Sequence, residues 1–199
     1  MTGWFDYKGI TTQQHNNIRE PFEKLFTTVK PKRILEIGTA YGGLTLFLRD
    51  LLDELGFHDT EFVSYDVVDK HYLHEKLEQG INIDVRIEEI FNQAYNELKD
   101  ASSVRDFIQQ EGTTIVLCDG GSKTNEFSLL SDLIKNGDII MAHDYSPNKE
   151  YFEENVREQI WAWLEIQDSD IEDACLRNNL EPFLHDEFKN VVWVCKQKK

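Results

Sequence analysis

The sequence has few cysteines and no long apolar run, and each shortage excludes a class of protein. Its cysteines are Cys118, Cys175 and Cys195, which lie far apart and form no CxxC pair. This spacing excludes a disulfide scaffold and a zinc ribbon, and it indicates reduced thiols in a cytoplasmic compartment. No apolar run approaches the ~20 residues that span a bilayer, and the N-terminal residues hold neither a basic nor an apolar stretch. We therefore expect no membrane span and no secretory signal.

Cations are scarce as well. The 199 residues include 21 Lys and Arg against 37 Asp and Glu, which gives a formal net charge of −16. A molecule with this charge is repelled by phosphate backbones and by anionic lipid surfaces, so we expect no nucleic-acid partner and no membrane partner. The hydrophobic fraction of 40 % is sufficient for one sizeable core.

The apolar pattern alternates between short buried runs and helical periodicity. Alternation of this kind predicts right-handed crossovers and helices on both faces of a sheet. We predict an α/β fold: a Rossmann-like, doubly wound, mostly parallel seven-stranded sheet with an antiparallel last strand, in a single domain. The predicted strands are 33–37, 61–67, 82–87, 114–119, 138–143, 180–185 and 191–195.

The chain divides into residues 1–29, an N-terminal extension with a helix, and residues 30–199, which carry the sheet. Residues 1–17 read as irregular, but their aromatic side chains suggest a flap over a ligand site. A helix is predicted from His71 to Gln79, and a polar helical region over 91–110. A Trp-bearing helix follows the fifth strand, with Trp163 inward. Trp161 is then left exposed, as a substrate wall or a homodimer contact.

A glycine-rich loop follows the first predicted strand, in the stretch Glu36-Ile37-Gly38-Thr39-Ala40-Tyr41-Gly42-Gly43. Glycines at a strand-to-helix turn allow a ligand to approach the backbone closely, and the helix N-terminus offers free N–H groups. The spacing differs from the G-x-G-x-x-G of dinucleotide sites. The negative charge of Glu36 would repel a bound pyrophosphate and attract a ligand that carries an ammonium group. Asp66, at the end of the second strand, is placed to accept hydrogen bonds from ribose hydroxyls.

This combination resembles the class I S-adenosylmethionine-dependent methyltransferases over about residues 30 to 197. The resemblance implies that Glu36 and the loop residues pack around the methionine part of S-adenosylmethionine, and that Asp66 holds its ribose. It also implies that Glu89 lies near the adenine, with Ile90 against the face of the ring. Asp119, which follows the fourth strand, borders the same cofactor. The loop residues implied are Gly38, Thr39, Ala40, Tyr41, Gly42 and Gly43.

Three possible metal ligands follow the fourth and fifth strands. Asp119 ends one strand, and His143 and Asp144 end its neighbour. Carboxyl ends of adjacent parallel strands lie ~4.8 Å apart, so these side chains can converge on one divalent cation. Here the sequence resembles the metal-dependent O-methyltransferases of the catechol, macrocin and cephalosporin-tailoring types. These commonly carry an acid where His143 stands, and imidazole suits Mn²⁺ better than Mg²⁺. His143 is either a ligand or the general base, and Lys123 is an alternative base.

The predicted function is methyl transfer from S-adenosylmethionine to a hydroxyl of a small molecule or sugar, assisted by Mg²⁺ or Mn²⁺. Two alternatives remain open. One is a nicotinamide-dependent oxidoreductase on the same kind of sheet, which the Glu36 charge and the glycine spacing disfavour. The other is a non-catalytic binding protein on a methyltransferase scaffold.

Overall fold

The computed structural model describes residues 4–70, 72–99 and 101–199. The strands are β1 (Phe5–Tyr7), β2 (Ile10–Thr12), β3 (Arg33–Ile37), β4 (Glu61–Asp66), β5 (Asp84–Ile87), β6 (Thr114–Cys118), β7 (Ile139–Ala142), β8 (Leu180–Pro182) and β9 (Val194–Lys198). The helices are α1 (Arg19–Val29), α2 (Gly43–Glu54), α3 (His74–Glu78), α4 (Ala101–Gln109), α5 (Lys123–Ser131), α6 (Lys149–Tyr151), α7 (Asp168–Asn178) and α8 (His185–Lys189). In this part of the chain no helix has the length and apolar character that crossing a membrane requires.

The main sheet has seven strands in the order β5-β4-β3-β6-β7-β9-β8. Strands β3 to β7 pair in parallel, whereas β9 is antiparallel to both of its neighbours, β7 and β8. The winding starts at β3 and reverses at β6, so the carboxyl ends of these two strands border a crevice. The predicted Rossmann-like α/β sheet with an antiparallel last strand is confirmed.

Each face of the sheet carries its own apolar core. Successive side chains of a strand point to opposite faces, so one strand contributes to both cores. In β6, Ile115 and Leu117 join a cluster that includes residues of α1, α2 and α8. Val116 and Cys118 join the other cluster, with residues of α4, α5 and α7. Burial on both sides explains why the middle strands are continuous apolar runs rather than alternating ones.

The N-terminal extension is more regular than predicted. Strands β1 and β2 form an antiparallel hairpin that turns at Gly9, where φ is 85°. Phe5 and Tyr7 place their rings edge-on to Phe47 of α2, with centroids 6.2 and 5.3 Å apart. The prediction of an irregular segment was therefore wrong, because aromatic contacts with α2 stabilise a two-stranded ribbon. The interpretation of the extension as a flap stays a prediction.

The predicted Trp-bearing helix is not formed. Helix α6 continues as a π-helical turn (Phe152–Val156), and the chain then leaves helical geometry at Arg157, where ψ is 130°. The two tryptophans are consequently reversed: Trp161 is buried, at 3 % exposed, and Trp163 is 54 % exposed. Helical periodicity does not decide which side chain is buried once the helix has ended.

The remaining elements differ from the predictions mainly in their bounds. The polar helical region predicted over 91–110 contracts to α4, and the predicted hairpin of the last two strands contains α8 between β8 and β9. The helix predicted from His71 begins at His74 in the structure, and His71 itself lies outside the described residues.

Candidate active site

The glycine loop connects β3 to α2 at the reversal point of the sheet. Gly38 has a φ of 93°, and a Cβ atom there would lie 2.2 Å from the carbonyl oxygen of Asp119. Only glycine therefore allows the ends of β3 and β6 to approach so closely. The amide of Ala40 donates a hydrogen bond of 2.7 Å to Oδ2 of Asp66 at the end of β4. The loop is thus tied to the ends of both neighbouring strands.

Two of the cavities at this edge of the sheet meet at Gly38. The larger, which we name the acidic cavity, has a volume of about 440 Å³. The smaller, the β4–β5 cavity, has a volume of about 270 Å³. The acidic cavity is lined by Trp4, Thr11, Gln13, Gln14, the loop residues 38–44, Asp119, Lys123, His143, Asp144, Trp161 and Trp163. The β4–β5 cavity is lined by Ile37, Gly38, Ala40, Tyr65, Asp66, Val67, Lys70, residues 88–93, Tyr95, residues 119–121 and Glu126.

Most of the residues predicted for the cofactor lie on these walls. Asp66 borders the β4–β5 cavity, and its Oδ1 accepts the amide of Val68 at 2.9 Å. Ile90 is buried in the same wall, whereas Glu89 is exposed there and forms an ion pair with Lys99. The structure therefore brings the glycine loop, the strand-end acid and the predicted adenine contacts to one continuous edge.

Glu36 is the exception. Its side chain is fully buried and lines neither cavity, and its Oε2 accepts the hydroxyls of Thr45 and Ser64 at 2.7 and 2.5 Å. Its Oε1 is buried without a hydrogen-bond partner. Burial raises the pKa of Glu36 to about 7. Glu36 therefore lies behind the loop, and its predicted contact with the cofactor stays a prediction.

The residues predicted to hold a metal come together in the acidic cavity. Asp119, His143 and Asp144 each offer one ligand atom, and these atoms lie within 4.8 Å of one another. Nδ1 of His143 is 3.2 Å from Oδ1 of Asp119 and 3.5 Å from Oδ1 of Asp144. Burial opposes a charge on His143, but the two carboxylates outweigh this effect and raise its pKa. His143 Nε2 is buried without a partner, beside the rings of Trp161 and Trp193.

Lys123 lies inside the same cluster. Its ammonium is 3.1 Å from Oδ2 of Asp144, 3.8 Å from Oδ1 of Asp119 and 2.9 Å from Oε2 of Glu165. Burial opposes the charge of Lys123, but these carboxylates raise its pKa, so the side chain stays an ammonium. A raised pKa disfavours Lys123 as a general base, because the side chain already carries its proton.

Gln14 of the N-terminal extension completes the cluster. The indole N–H of Trp193 donates to Oε1 of Gln14 at 2.8 Å, and the Gln14 amide donates to Oδ2 of Asp119 at 2.7 Å. An indole N–H can only donate, so it determines which end of the amide faces Asp119. Gln14 therefore turns its NH₂ group toward Asp119 and donates one hydrogen bond that holds this carboxylate in place.

Several residues of the site were missed by the sequence analysis. They are Gln14, Glu126, Glu165 and Trp193. Glu126 is buried and accepts the amides of Gly120 and Ser122, which shapes the loop after β6. Gln14, Glu165 and Trp193 join the site from distant parts of the chain, so no spacing pattern connects them to Asp119.

Comparisons with known proteins bear on the fold. No protein-family model and no curated protein matches this chain. The apo structure of CmcI aligns with a TM-score of 0.64 at 13 % identity, covering 98 % of this chain and 76 % of that one. The Mg-SAM structure of CmcI aligns with a TM-score of 0.58 at 14 % identity, covering 98 % and 77 %.

Two further solved structures come from other methyltransferases. An O-methyltransferase family protein from Burkholderia thailandensis has a TM-score of 0.55 at 10 % identity, covering 92 % of this chain and 55 % of that one. A ribosomal protein methylase from Lactobacillus delbrueckii subsp. bulgaricus has a TM-score of 0.54 at 10 % identity, covering 99 % and 82 %. The seven-stranded sheet and these alignments show that the chain has the fold of the class I S-adenosylmethionine-dependent methyltransferases.

Proposed function

We propose that this protein is an S-adenosylmethionine-dependent methyltransferase that methylates a hydroxyl of a small molecule or sugar, with a divalent cation in its site. The observation that carries the proposal is that the acidic cavity and the β4–β5 cavity share Gly38, Ala40 and Asp119. A cofactor with its nucleoside in one cavity can therefore direct its reacting end into the other. The Mg-SAM structure of CmcI, which has the same fold, supports both the cofactor and the cation.

The β4–β5 cavity is the proposed nucleoside site. Both oxygens of Asp66 accept backbone N–H groups, which hold the carboxylate at the cavity wall. Each carboxylate oxygen has a second lone pair, so Asp66 can still accept the two ribose hydroxyls. Ile90 offers an apolar surface for the adenine. S-adenosylmethionine supplies a methyl group on an electrophilic sulfonium, so the protein needs mainly to align the acceptor oxygen and remove its proton.

The acidic cavity is the proposed acceptor site. Oδ1 of Asp119 and Nδ1 of His143, 3.2 Å apart, form the proposed proton-accepting pair. Asp144 lies against the same imidazole and stabilises its charge after it takes the proton. Lys123 keeps its own proton and balances the charge of the carboxylates. The cavity is also walled by Trp4 and Trp163, whose rings stack at 6.2 Å.

The donor set fits a divalent cation. Two carboxylates and an imidazole lie within 4.8 Å of one another, and Mn²⁺ accepts imidazole more readily than Mg²⁺ does. Asp119 and Asp144 are the proposed carboxylate ligands, and His143 is either the third ligand or the base, because the lone pair of its Nδ1 cannot do both. A bound cation would supply a Lewis acid that lowers the pKa of the acceptor hydroxyl.

Calorimetric titration with S-adenosylhomocysteine and with NADH tests the cofactor. We expect S-adenosylhomocysteine to bind and NADH not to bind. Asp66→Ala removes the ribose contacts and should weaken this binding by about 10- to 100-fold, the value of one or two charged hydrogen bonds. Asp84→Ala, at the opposite end of the neighbouring strand β5, is the matched control and should leave binding unchanged. Binding of NADH instead would identify an oxidoreductase.

A methyl-transfer assay tests the reaction. The protein is incubated with methyl-labelled S-adenosylmethionine and a panel of hydroxyl-, amine- and thiol-bearing small molecules, and the products are identified by mass spectrometry. We expect label on an oxygen. Label on nitrogen would overturn O-methylation but keep the methyltransferase, and cofactor binding without transfer to any panel member would favour a binding protein.

A further inference from the structure

The acidic cavity already contains a cation, the ammonium of Lys123. Its side chain is only 8 % exposed, and Nζ is surrounded by oxygens of Asp144 at 3.1 Å and Glu165 at 2.9 Å. The carbonyl oxygen of Gly120 lies 3.2 Å away on the same nitrogen. An ammonium enclosed by oxygen atoms in this way occupies the kind of environment that a metal ion requires.

The carboxylate oxygens of the cluster are already assigned to donors of the chain. Oδ2 of Asp119 accepts Gln14, and Oδ1 of Asp144 accepts the indole N–H of Trp161. Oδ2 of Asp144 faces Lys123. A divalent cation held by Asp119 and Asp144 would therefore take over oxygens that now neutralise Lys123, and the two positive charges would repel each other across a few ångströms.

Glu165 offers the ammonium a position away from the metal ligands. It contacts Lys123 twice, accepting the backbone amide at Oε1 (2.8 Å) and the ammonium at Oε2. Its side chain is 37 % exposed, whereas that of Asp144 is 15 % exposed. Glu165 therefore lies on the outer side of Lys123 and remains its partner when Asp144 is engaged elsewhere.

We propose that Lys123 and a divalent cation compete for Asp119 and Asp144, and that Glu165 holds the lysine when the cation binds. The inference rests on the proposed function, since it concerns the cation of the same site. It makes Lys123 a regulator of cation affinity, and Glu165 a positioning residue that acts through Lys123.

The test is titration of the full chain with MnCl₂ at one pH, with free Mn²⁺ measured by electron paramagnetic resonance. Lys123→Met removes the competing charge and should tighten Mn²⁺ binding by about tenfold or more. Lys123→Arg keeps the charge and should bind no tighter than the unmodified protein. Lys24→Met, which removes a lysine paired with Glu187 at the surface, is the control for a general change of charge.

Glu165→Gln provides a second arm, which is measured both in the unmodified protein and in the Lys123→Met background. It deprives Lys123 of its outer partner, so Mn²⁺ binding should weaken by about threefold or more. In the Lys123→Met background the same change should alter binding by less than about twofold, because no lysine is left to hold. If Glu165→Gln has an equal effect in both backgrounds, the effect is a simple long-range one of charge and the inference is overturned. The inference is also overturned if Lys123→Met binds Mn²⁺ no more tightly than the unmodified protein does.

S-adenosylhomocysteine binding, measured on the same preparations, separates the two proposals. If no variant binds Mn²⁺ while S-adenosylhomocysteine binds normally, the competition is refuted and the methyltransferase proposal stands without its cation. If the Mn²⁺ results are as expected but S-adenosylhomocysteine does not bind, the competition stands and the proposed function fails.

Discussion

The buried carboxyl group of Glu36 should make the stability of this protein fall as the pH rises. Glu36 lies in the middle of the sheet, and burial raises its pKa from 4.5 to about 7. Between these two values the folded chain keeps a proton that the unfolded chain has lost. The free energy of unfolding then decreases by about 1.4 kcal/mol per pH unit, or about 3 kcal/mol in total. This contribution is fully present below pH 4.5 and is lost as the pH rises through about 7.

Glu36→Gln isolates this effect. The amide oxygen can still accept the hydroxyls of Thr45 and Ser64, and a neutral side chain has no proton to lose. We expect the variant to lose the Glu36 part of the pH dependence and to gain stability relative to the unmodified protein at high pH. Urea denaturation followed by tryptophan fluorescence, between about pH 5 and pH 8, measures both proteins.

The difference between the two curves is the quantity to examine. Glu126, whose pKa burial also raises to about 7, contributes to both proteins equally and cancels. Glu61→Gln, at the exposed start of β4, is the matched control and should give a curve parallel to that of the unmodified protein. If the Glu36→Gln curve is also parallel, Glu36 is not protonated in the folded protein and the reasoning is refuted.

Two further predictions concern the loop and the N-terminal extension. Gly38→Ala places a Cβ atom 2.2 Å from the carbonyl oxygen of Asp119 and should weaken S-adenosylhomocysteine binding by about tenfold or more in calorimetry. Gly56→Ala, with a similar φ of 83° but open space around it, should leave binding unchanged; equal effects would assign the loss to strain alone. Gln14→Leu leaves a buried indole N–H and a carboxylate oxygen unpaired and should cost about 1–3 kcal/mol in urea denaturation. Gln13→Leu is its control, and the idea fails if both changes cost the same.

Pattern reasoning succeeded where one physical effect dominates. The strands β3, β6 and β7 are buried on both faces, so their apolar runs are visible in the sequence whatever surrounds them. Gly38 and Asp66 were recognisable because the end of a parallel strand has a known position relative to its neighbours. For the same reason, Asp119 was predicted to lie close to His143 and Asp144, the pair that follows β7.

It failed where contacts with distant residues decide the local structure. After Val156 the chain departs from a helix, and Trp161 is buried because its indole N–H reaches Asp144. Helical periodicity placed Trp163 inside instead. For Glu36, which Thr45 and Ser64 hold behind the loop, the expected contact with the cofactor stays a prediction.

The sequence by itself determined the alternation of strands and helices from β3 to β7, the position of the glycine loop and the acids at the strand ends, because each depends on neighbours a few residues away. Only the tertiary structure decided which charges meet. Glu165 reaches Lys123 from 42 residues along the chain, and Gln14 reaches Asp119 from 105. Such pairs leave no periodic trace, since they are selected by the packing of surfaces that exist only after the sheet has formed.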